Sequence, residues 1–506
     1  NNTLAAGQTG VFALGNDIKT TASNSVFLGS NTAYTAADSN TTAGLSGTGT
    51  VGVISVGNIS ANERRRIQGV AEGLVSENST DAVTGAQLYN VSKNSVKYFG
   101  ANSTQTVNRD GSGASGVEAI AIGGRANATG AMSIAQGFMT NATGERSIAL
   151  GHQIDATGEN STAIGYQSNA SGQNAVALGV GANASNGNAL ALGFGTNALG
   201  AAASAVGSGA RASGNLSTAF GVAANASGYA SSAQGVEANA TNNYSIAQGY
   251  AANATGESSI AIGNVSQSHG NASIAIGYAS NATSANAVAL GQFANATGNQ
   301  SIAQGFMSNA TGHYSIAIGQ CVSATAAGAV ALGCGTSATA AFASAFGAGA
   351  QANGMNSVAI GGNSGATGYI STALGAVARA SGNYSLAQGH YANATGNLST
   401  AQGSFANAIA NFSMAQGFFA KAAGEYAIAQ GFLANATGDQ SISIGKDSNV
   451  TGNQSIGIGV GNQVHGHNSG AFGDPSVINA NASYSVGNNN TLAAGQTGVF
   501  ALGNDI

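Results

Sequence analysis

The chain is poor in the residues that build conventional globular proteins. It has 506 residues but no tryptophan and one proline, and charged residues make up 6% of it, against about 25% in an average globular protein. The hydrophobic share of 43% is dominated by alanine, so a large core of leucine and phenylalanine cannot form. The scarcity of charge and the net charge of −5 argue against a surface that binds nucleic acid or anionic membranes.

Other absences limit the location and the chemistry of the chain. No apolar run approaches the roughly 20 residues of a membrane span, and the N-terminus does not resemble a signal peptide, so we expect any export and anchor elements outside this segment. The two cysteines, Cys321 and Cys334, lie in consecutive repeats one position out of register, so a disulfide is possible without being expected. No nucleophile with a base, carboxylate pair or metal-ligand cluster stands out, so we expect no enzyme activity, no metal and no cofactor.

What the sequence has in abundance is a 14-residue repeat. A glycine closes the phrase Ser-Ile-Ala-x-Gly and recurs every 14 residues from Gly123 to Gly487 without an insertion. Collagen is excluded because its glycine period is three, and a coiled coil is excluded because glycine and β-branched residues dominate. Repetition at a fixed period is instead typical of solenoids, in which each repeat packs on its neighbours.

Each repeat contains the signals for two short strands and two tight turns. Small and bulky side chains alternate over residues 133–137, and a second alternation follows over residues 140–144, as in strands. The glycines Gly137 and Gly144 lie seven residues apart and mark turns. Asparagine replaces the second glycine in some repeats, as at Asn186, which predicts a positive φ there. We therefore predict a flat parallel β-roll whose coils stack about 4.8 Å apart.

The interior of this roll is predicted to be thin. We expect Ile, Val, Leu or Phe of one strand to face Ala, Ser and Thr of the other strand, so that each coil buries only a few apolar groups. Such a roll is marginal alone, and association along its length is the obvious remedy. In several repeats glutamine replaces the second aliphatic residue, and four consecutive glutamines predict a ladder of amides with a structural role rather than a ligand site. They are Gln388, Gln402, Gln416 and Gln430.

Aromatic side chains align in the same four repeats. Two residues after the repeat glycine stand Tyr391, Phe405, Phe419 and Leu433, and Phe418 and Phe432 precede two of them. Stacking of the coils would place these residues in a stripe along one turn edge. The stripe either packs against a neighbouring subunit or is an exposed apolar contact site for a receptor or another fibre.

Residues 61–100 interrupt the repeat. Nine charged residues lie in this segment, and we expect its arginines to pair with acidic groups of neighbouring chains, for which two candidates stand nearby. The arginines are Arg64, Arg65 and Arg66, and the acidic candidates are Glu77 and Asp81.

A short helix is predicted within the same interruption. Ser79-Thr80-Asp81 offers an N-cap, and a loose apolar stripe follows at Val83, Leu88, Val91 and Val96. A short capped helix with one apolar stripe is typical of a strand of a coiled coil.

Taken together, these motifs resemble the trimeric autotransporter adhesins. The Ser-Ile-Ala-x-Gly and Asn-Ala-Thr-Gly phrases resemble the YadA-like head, residues 63–71 and 80–88 resemble the neck of that family, and residues 42–57 resemble the insert that often precedes the neck. The resemblance implies an all-β fold: a left-handed parallel β-roll of 14-residue coils, assembled as a homotrimer and interrupted by a short neck with a helical coiled-coil segment.

The resemblance and the repeat together predict five segments. They are the end of a preceding head at 1–35, a head insert at 36–60, the neck with its short helix at 61–100, the head of 14-residue repeats at 101–487, and the start of a next tandem unit at 488–506. Residues 1–18 recur unchanged as residues 489–506, as a segment of a longer tandem fibre would show.

A function also follows from the resemblance. It implies an extracellular fibre segment on a bacterial surface, anchored in the outer membrane through a region outside this chain, that attaches to host matrix, host cells or sister bacteria and supports virulence and biofilm formation. The implied partners are further copies of the chain and a receptor or sister fibre, with no nucleic acid. A purely structural extracellular filament without a dedicated receptor is the alternative, and a binding measurement would separate the two.

Overall fold

Parallel β-strands make up nearly all of the regular secondary structure. The computed structural model describes residues 1–34, 52–58, 60–94 and 112–506. The chain divides into two units, Asn1–Asn102 and Ser103–Ile506. Within the described ranges, we find no helix with the length and apolar character needed to cross a membrane.

The second unit is a β-solenoid built from two kinds of strand. Long strands start at Ile120–Ile122 and recur every 14 residues to Tyr484–Val486, after which Phe500–Leu502 follows. Short strands of two residues run from Asn127–Ala128 to Thr491–Leu492 at the same step. Most long strands have three residues, and those of five residues are Ile134–Phe138, Ile148–His152 and Thr162–Tyr166.

Each strand pairs in parallel with its counterpart in the next coil. Ile148 pairs with Ile134 on one side and with Thr162 on the other, and Asn141 pairs in the same way with Asn127. The long strands form one sheet and the short strands form the other. The prediction of an all-β parallel roll with 14-residue coils is confirmed.

The interior is lined with alanine and serine rather than with larger aliphatic side chains. Ala135 of a long strand and Ala142 of the next short strand are fully buried, as are Ser133 and Thr140 just before these strands, whereas Ile134 is only half-buried. Facing sheets joined by such short turns leave little room for larger side chains, although single coils bury one, as at Ile154 and Val450. The expectation that Ile, Val, Leu or Phe fills the interior is therefore wrong. These side chains point outward and give the long-strand sheet an apolar outer face.

Both turns of nearly every coil contain a residue in the left-handed conformation, and it is seldom glycine. Met139 has a φ of 55° and Arg146 a φ of 56°. The backbone N–H of Met139 donates to the Gly124 carbonyl of the preceding coil at 3.0 Å, and that of Arg146 donates to Ala131 at 2.8 Å. The hydrogen-bond ladder between coils thus continues through the turns and holds a conformation that costs about 1–2 kcal/mol in isolation.

The second glycine of the repeat has a steric role. A Cβ atom added to Gly144 would overlap the backbone carbonyl of Gly158 in the next coil, which explains why small residues predominate there. Asn186, at the equivalent position, is absent from the residues with positive φ. The prediction that this position needs a positive φ is therefore wrong, since the left-handed residue comes two positions later.

The first unit opens with a short β-solenoid of the same kind. Val26 pairs with Phe12 after 14 residues, but its next partner is Ile54. The extra residues of that coil fall within the range predicted as the head insert, 36–60, most of which lies outside the described residues. The strands of one sheet are Thr3–Leu4, Lys19–Thr20 and Ala33–Tyr34, and those of the other are Phe12–Leu14, Val26–Leu28 and Ile54–Ser55.

The helix in residues 61–100, the segment predicted as the neck and called the neck below, spans Gly85–Asn94. The Gln87 N–H donates to Thr84 Oγ1 at 3.2 Å, and the Gln87 side-chain oxygen accepts from the Thr84 N–H at 3.0 Å. This reciprocal pair is a capping box. The predicted N-cap at Ser79-Thr80-Asp81 is therefore wrong, because the capping residue lies further along the chain.

Candidate contact surfaces

The aromatic residues singled out in the sequence lie along one turn edge of the solenoid. Tyr391, Phe405, Phe419 and Leu433 each occupy the left-handed position of a turn, with φ values of 56°, 60°, 55° and 57°. Each backbone N–H donates to the preceding coil, as from Phe405 to the His390 carbonyl at 2.8 Å. Because the backbone ladder fixes these four positions, their side chains stack in register.

The rings of this edge form two stacks. Tyr391 and Phe405 have ring centroids 5.2 Å apart at 4°, and Phe405 and Phe419 have centroids 4.6 Å apart at 6°. Phe418 and Phe432 form the second stack at 5.4 Å and 12°. Phe418 meets Phe419 edge to face at 4.6 Å and 88°. We call Tyr391, Phe405, Phe418, Phe419, Phe432 and Leu433 the aromatic edge.

The aromatic edge is exposed in the single chain, but its ring faces are covered. Tyr391, Phe418, Phe419, Phe432 and Leu433 are between 43% and 47% exposed. Since stacked rings cover each other's faces, mainly their edges are available to a partner. This arrangement suits an apolar protein surface better than the flat face of a sugar, which needs an open ring face.

A second aromatic row, which the sequence reasoning missed, lies at the other turn of the same coils. Its residues occupy the other left-handed position, and Phe412 stacks on Tyr426 with centroids 4.6 Å apart at 4°. The signal was present in the sequence, two residues after the second glycine position of the repeat. The residues of this row are Tyr384, Leu398, Phe412 and Tyr426.

The four glutamines lie on the outer face of the long-strand sheet. The Gln402 side-chain amide donates to Gln388 Oε1 at 3.4 Å, and that of Gln416 donates to Gln402 Oε1 at 3.1 Å. Gln430 pairs with Gln416 through the backbone register. Other coils carry an aliphatic residue at this position, as at Ile360. The amides therefore interrupt an otherwise apolar outer face.

The charged residues of the neck are partly engaged within the chain. The Arg65 guanidinium donates to the Ser30 carbonyl at 2.5 Å and to the Val56 carbonyl at 3.0 Å. Asp81 accepts from the Leu74 N–H at 2.8 Å. In the described part of the chain, no ion pair involves Arg64, Arg66 or Glu77.

The apolar residues of the neck are strongly exposed in the single chain. Ile67, Leu74 and Val75 are 68%, 68% and 75% exposed, Val83 just before the helix is 62% exposed, and on the helix Leu88 and Val91 are 65% and 58% exposed. Val96, the last residue of the predicted apolar stripe, lies outside the described residues. The described residues of the neck, 61–94, therefore form no apolar core by themselves.

Reactive side chains are sparse in the described residues. Cys321 and Cys334 are both exposed and unbridged. Residues 1–34, 52–58, 60–94 and 112–506 contain no group of three or more His, Cys, Asp or Glu side chains that could hold a metal ion.

Two family models match the chain. The coiled stalk of trimeric autotransporter adhesin matches residues 66–111. The YadA head domain repeat matches stretches that together cover more than half of the chain. No curated protein matched the chain at a significant level. The head-repeat matches are 114–135, 128–153, 156–182, 212–238, 226–247, 240–266, 268–294, 296–320, 338–364, 366–392, 394–420 and 422–448.

Proposed function

Because the chain belongs to the trimeric autotransporter adhesins with YadA-type head repeats, we propose that three parallel copies form a left-handed β-roll head on a bacterial surface. The head attaches the bacterium, through its outer-membrane-anchored fibre, to host matrix, host cells or sister bacteria. Attachment of this kind supports virulence and biofilm formation.

The neck supports assembly from several chains. Its helix leaves Leu88 and Val91 exposed, and a 10-residue helix is too short to be stable in water without packing partners. Three copies around one axis would bury these side chains against each other. Arg64, Arg66 and Glu77 are then candidates for ion pairs between chains, whereas Arg65 and Asp81 already have partners in their own chain.

The outer face of the long-strand sheet supports assembly of the head. Its outward aliphatic side chains, such as Ile246 at 39%, Ile276 at 40% and Ile360 at 43%, are substantially exposed in the single chain. An apolar row that continues over many coils exceeds what monomer surfaces normally expose. We place this face in the contact between subunits, where the ladder of Gln388, Gln402 and Gln416 would supply hydrogen bonds within an apolar interface.

The observation that carries the adhesive role is the aromatic edge. At turns, away from the sheet that we place between subunits, it joins two ring stacks into one exposed patch, whereas Leu398 interrupts the rings of the second row. To test it, Tyr391, Phe405 and Phe419 are replaced together by serine. The matched control replaces Tyr384, Phe412 and Tyr426, which lie at the other turn of the same coils. Binding to collagen-rich matrix, cultured cells and like-coated beads is measured, together with the sedimentation mass.

We expect the first triple variant to lose most of its binding while it keeps the mass of the wild type, and the control variant to keep both. Loss of the assembled mass in the first variant would place the aromatic edge between subunits instead. A wild-type protein that binds none of the three targets would favour the purely structural filament.

A further inference from the structure

A polar groove of about 720 Å³ opens on the outer face of the short-strand sheet. In just over half of the coils the first residue of the short strand is an asparagine. Many of these amides bond to the next coil, as from Asn281 to Asn295 at 3.0 Å and from Asn295 to Asn309 at 2.9 Å. Gly365 occupies this position in its coil. The row of outward side chains is interrupted at Gly365, and the groove lies in the resulting gap.

The backbone does not require glycine at this position. Gly365 is absent from the glycines with positive φ, and a Cβ atom added to it would meet nothing within 4 Å. It pairs in register with Gln351 on one side and with Arg379 on the other. The missing side chain therefore opens space between a glutamine and an arginine without serving the fold.

Arg379 gives the groove a positive charge that no carboxylate neutralises. Between Glu257 and Glu425 the sequence contains no acidic residue, and Arg379 is the only Lys or Arg before Lys421. Among the described residues, none forms an ion pair with Arg379. A guanidinium presents a planar fork of donors that matches a carboxylate or sulfate group.

From these observations we propose that the groove binds an acidic saccharide through its carboxylate or sulfate group. Arg379 holds the anionic group in the space above Gly365. The Thr367 hydroxyl, which also lines the groove, bonds to a sugar hydroxyl. Thr395 Oγ1 and Asn393 Oδ1 accept from other sugar hydroxyls, since the Thr395 hydroxyl already donates to the Ile409 carbonyl and the Asn393 amide to Asn407. The volume lies within the range of small-ligand sites. This site goes beyond the proposed adhesive role of the aromatic edge, because it lies on a different surface and uses different residues.

The test is isothermal titration calorimetry on the full chain in low salt. The probes are N-acetylneuraminic acid, glucuronic acid and glucose 6-sulfate, with glucose as the neutral probe. We expect at least one acidic probe to bind and glucose not to bind. Comparing the affinities of the two carboxylate probes with that of the sulfate probe shows which anionic group the groove prefers. Arg379→Gln should weaken binding about tenfold or more, because a charge-assisted hydrogen bond is lost. Gly365→Asn should weaken it similarly, because it restores the side chain that most coils carry.

Arg211 provides the matched control. It occupies the same strand position as Arg379, but Asn197 and Asn225 flank it, so no gap adjoins it. Arg211→Gln should leave binding unchanged, and circular-dichroism melting should show that all three variants remain folded. The proposal is overturned if no acidic probe binds, if glucose binds equally well, if Arg211→Gln has the same effect as Arg379→Gln, or if an acidic peptide binds more tightly than every saccharide.

Discussion

At the scale of the residue, hydrogen bonds to the preceding coil constrain the backbone conformation more than the neighbours in the sequence do. Val377 illustrates this. It has a φ of 58°, which is a strained conformation for a β-branched residue. Its N–H donates to the Gly362 carbonyl of the preceding coil at 2.8 Å. The ladder thus fixes a backbone shape that valine itself disfavours.

Replacement of Val377 by asparagine should therefore stabilise its coil. Asparagine adopts the left-handed conformation more readily and keeps the N–H, so the free energy of local opening should rise by about 1 kcal/mol. Hydrogen exchange of the amides in residues 375–388 measures this. Val222 lies in a turn but is absent from the residues with positive φ, so Val222→Asn should have no such effect. A lower protection after Val377→Asn would contradict the strain argument.

A larger interior side chain on one strand is matched by a smaller one on the facing strand. In two neighbouring coils the buried alanine of the short strand becomes Val450 and Val464, and the facing position of the long strand shrinks to Gly457. A Cβ atom on Gly457 would lie 2.8 Å from Cγ2 of Val450. Gly457 is thus the steric complement of the larger valine.

A double-mutant cycle tests this complementarity. Gly457→Ala should lower the stability of its coil by about 1–3 kcal/mol because it overpacks the interior, and Val450→Ala should lower it because it leaves a cavity. The double variant restores the alanine pair found in most coils. Its loss should therefore be smaller than the sum of the two single losses. If hydrogen exchange shows that the two single losses of stability simply add in the double variant, the side chains of residues 450 and 457 do not pack against each other.

At the scale of the element, the coil acquires its burial from the coils on either side. The same eighteen residues occur twice in the chain, and they form the equivalent strands Thr3–Leu4 and Thr491–Leu492. Leu492 is 3% exposed and Leu4 is 46% exposed, although their local sequences are identical. The strand of Leu4 has a neighbour on one side only, Lys19–Thr20. The burial of this side chain therefore depends on the coils stacked around it.

Removal of one whole coil should accordingly be tolerated. Deletion of residues 245–258 lets the strand Ser232–Gln234 pair with Ile260–Ile262 in the same register. The protein should therefore still fold, and the ratio of its sedimentation mass to its chain mass should stay the same. Deletion of residues 245–251 should unfold the region, because it places the short strand Asn253–Ala254 where a long strand is needed. Melting curves that fall equally for both deletions would contradict the coil assignment.

The sequence was sufficient for the coil but not for all of its packing. Its period located the strands and turns, because the glycine of each repeat recurs at a constant spacing. Alternation along residues 133–137 defines two faces of a strand, but it does not say which face is inside. Because the two sheets lie close together, the small Ala135 side chain faces the interior and the larger Ile134 side chain faces outward. The aromatic edge was located because its residues occupy two adjacent repeat positions, while its stacked geometry depends on turn conformations that the sequence does not state.

At the scale of the whole molecule, the apolar surfaces of the head and the neck lead to the same conclusion. The neck exposes Leu74, Val75 and Leu88, and the outer face of the long-strand sheet exposes aliphatic side chains over many coils. Neither surface is covered by the residues that the structure describes. A homotrimer in which both are buried accounts for them together and accords with the family to which the chain belongs.

Sedimentation equilibrium of the 506-residue chain tests the homotrimer most directly, and one control makes it specific. Glutamate at Val91 and Leu88 places charge in the proposed core of the neck, so this double variant should dissociate more readily at low concentration. The wild-type protein should sediment as a single species of three times the 48.7 kDa chain mass at micromolar concentration. A stable, fully folded species of 48.7 kDa would contradict the account.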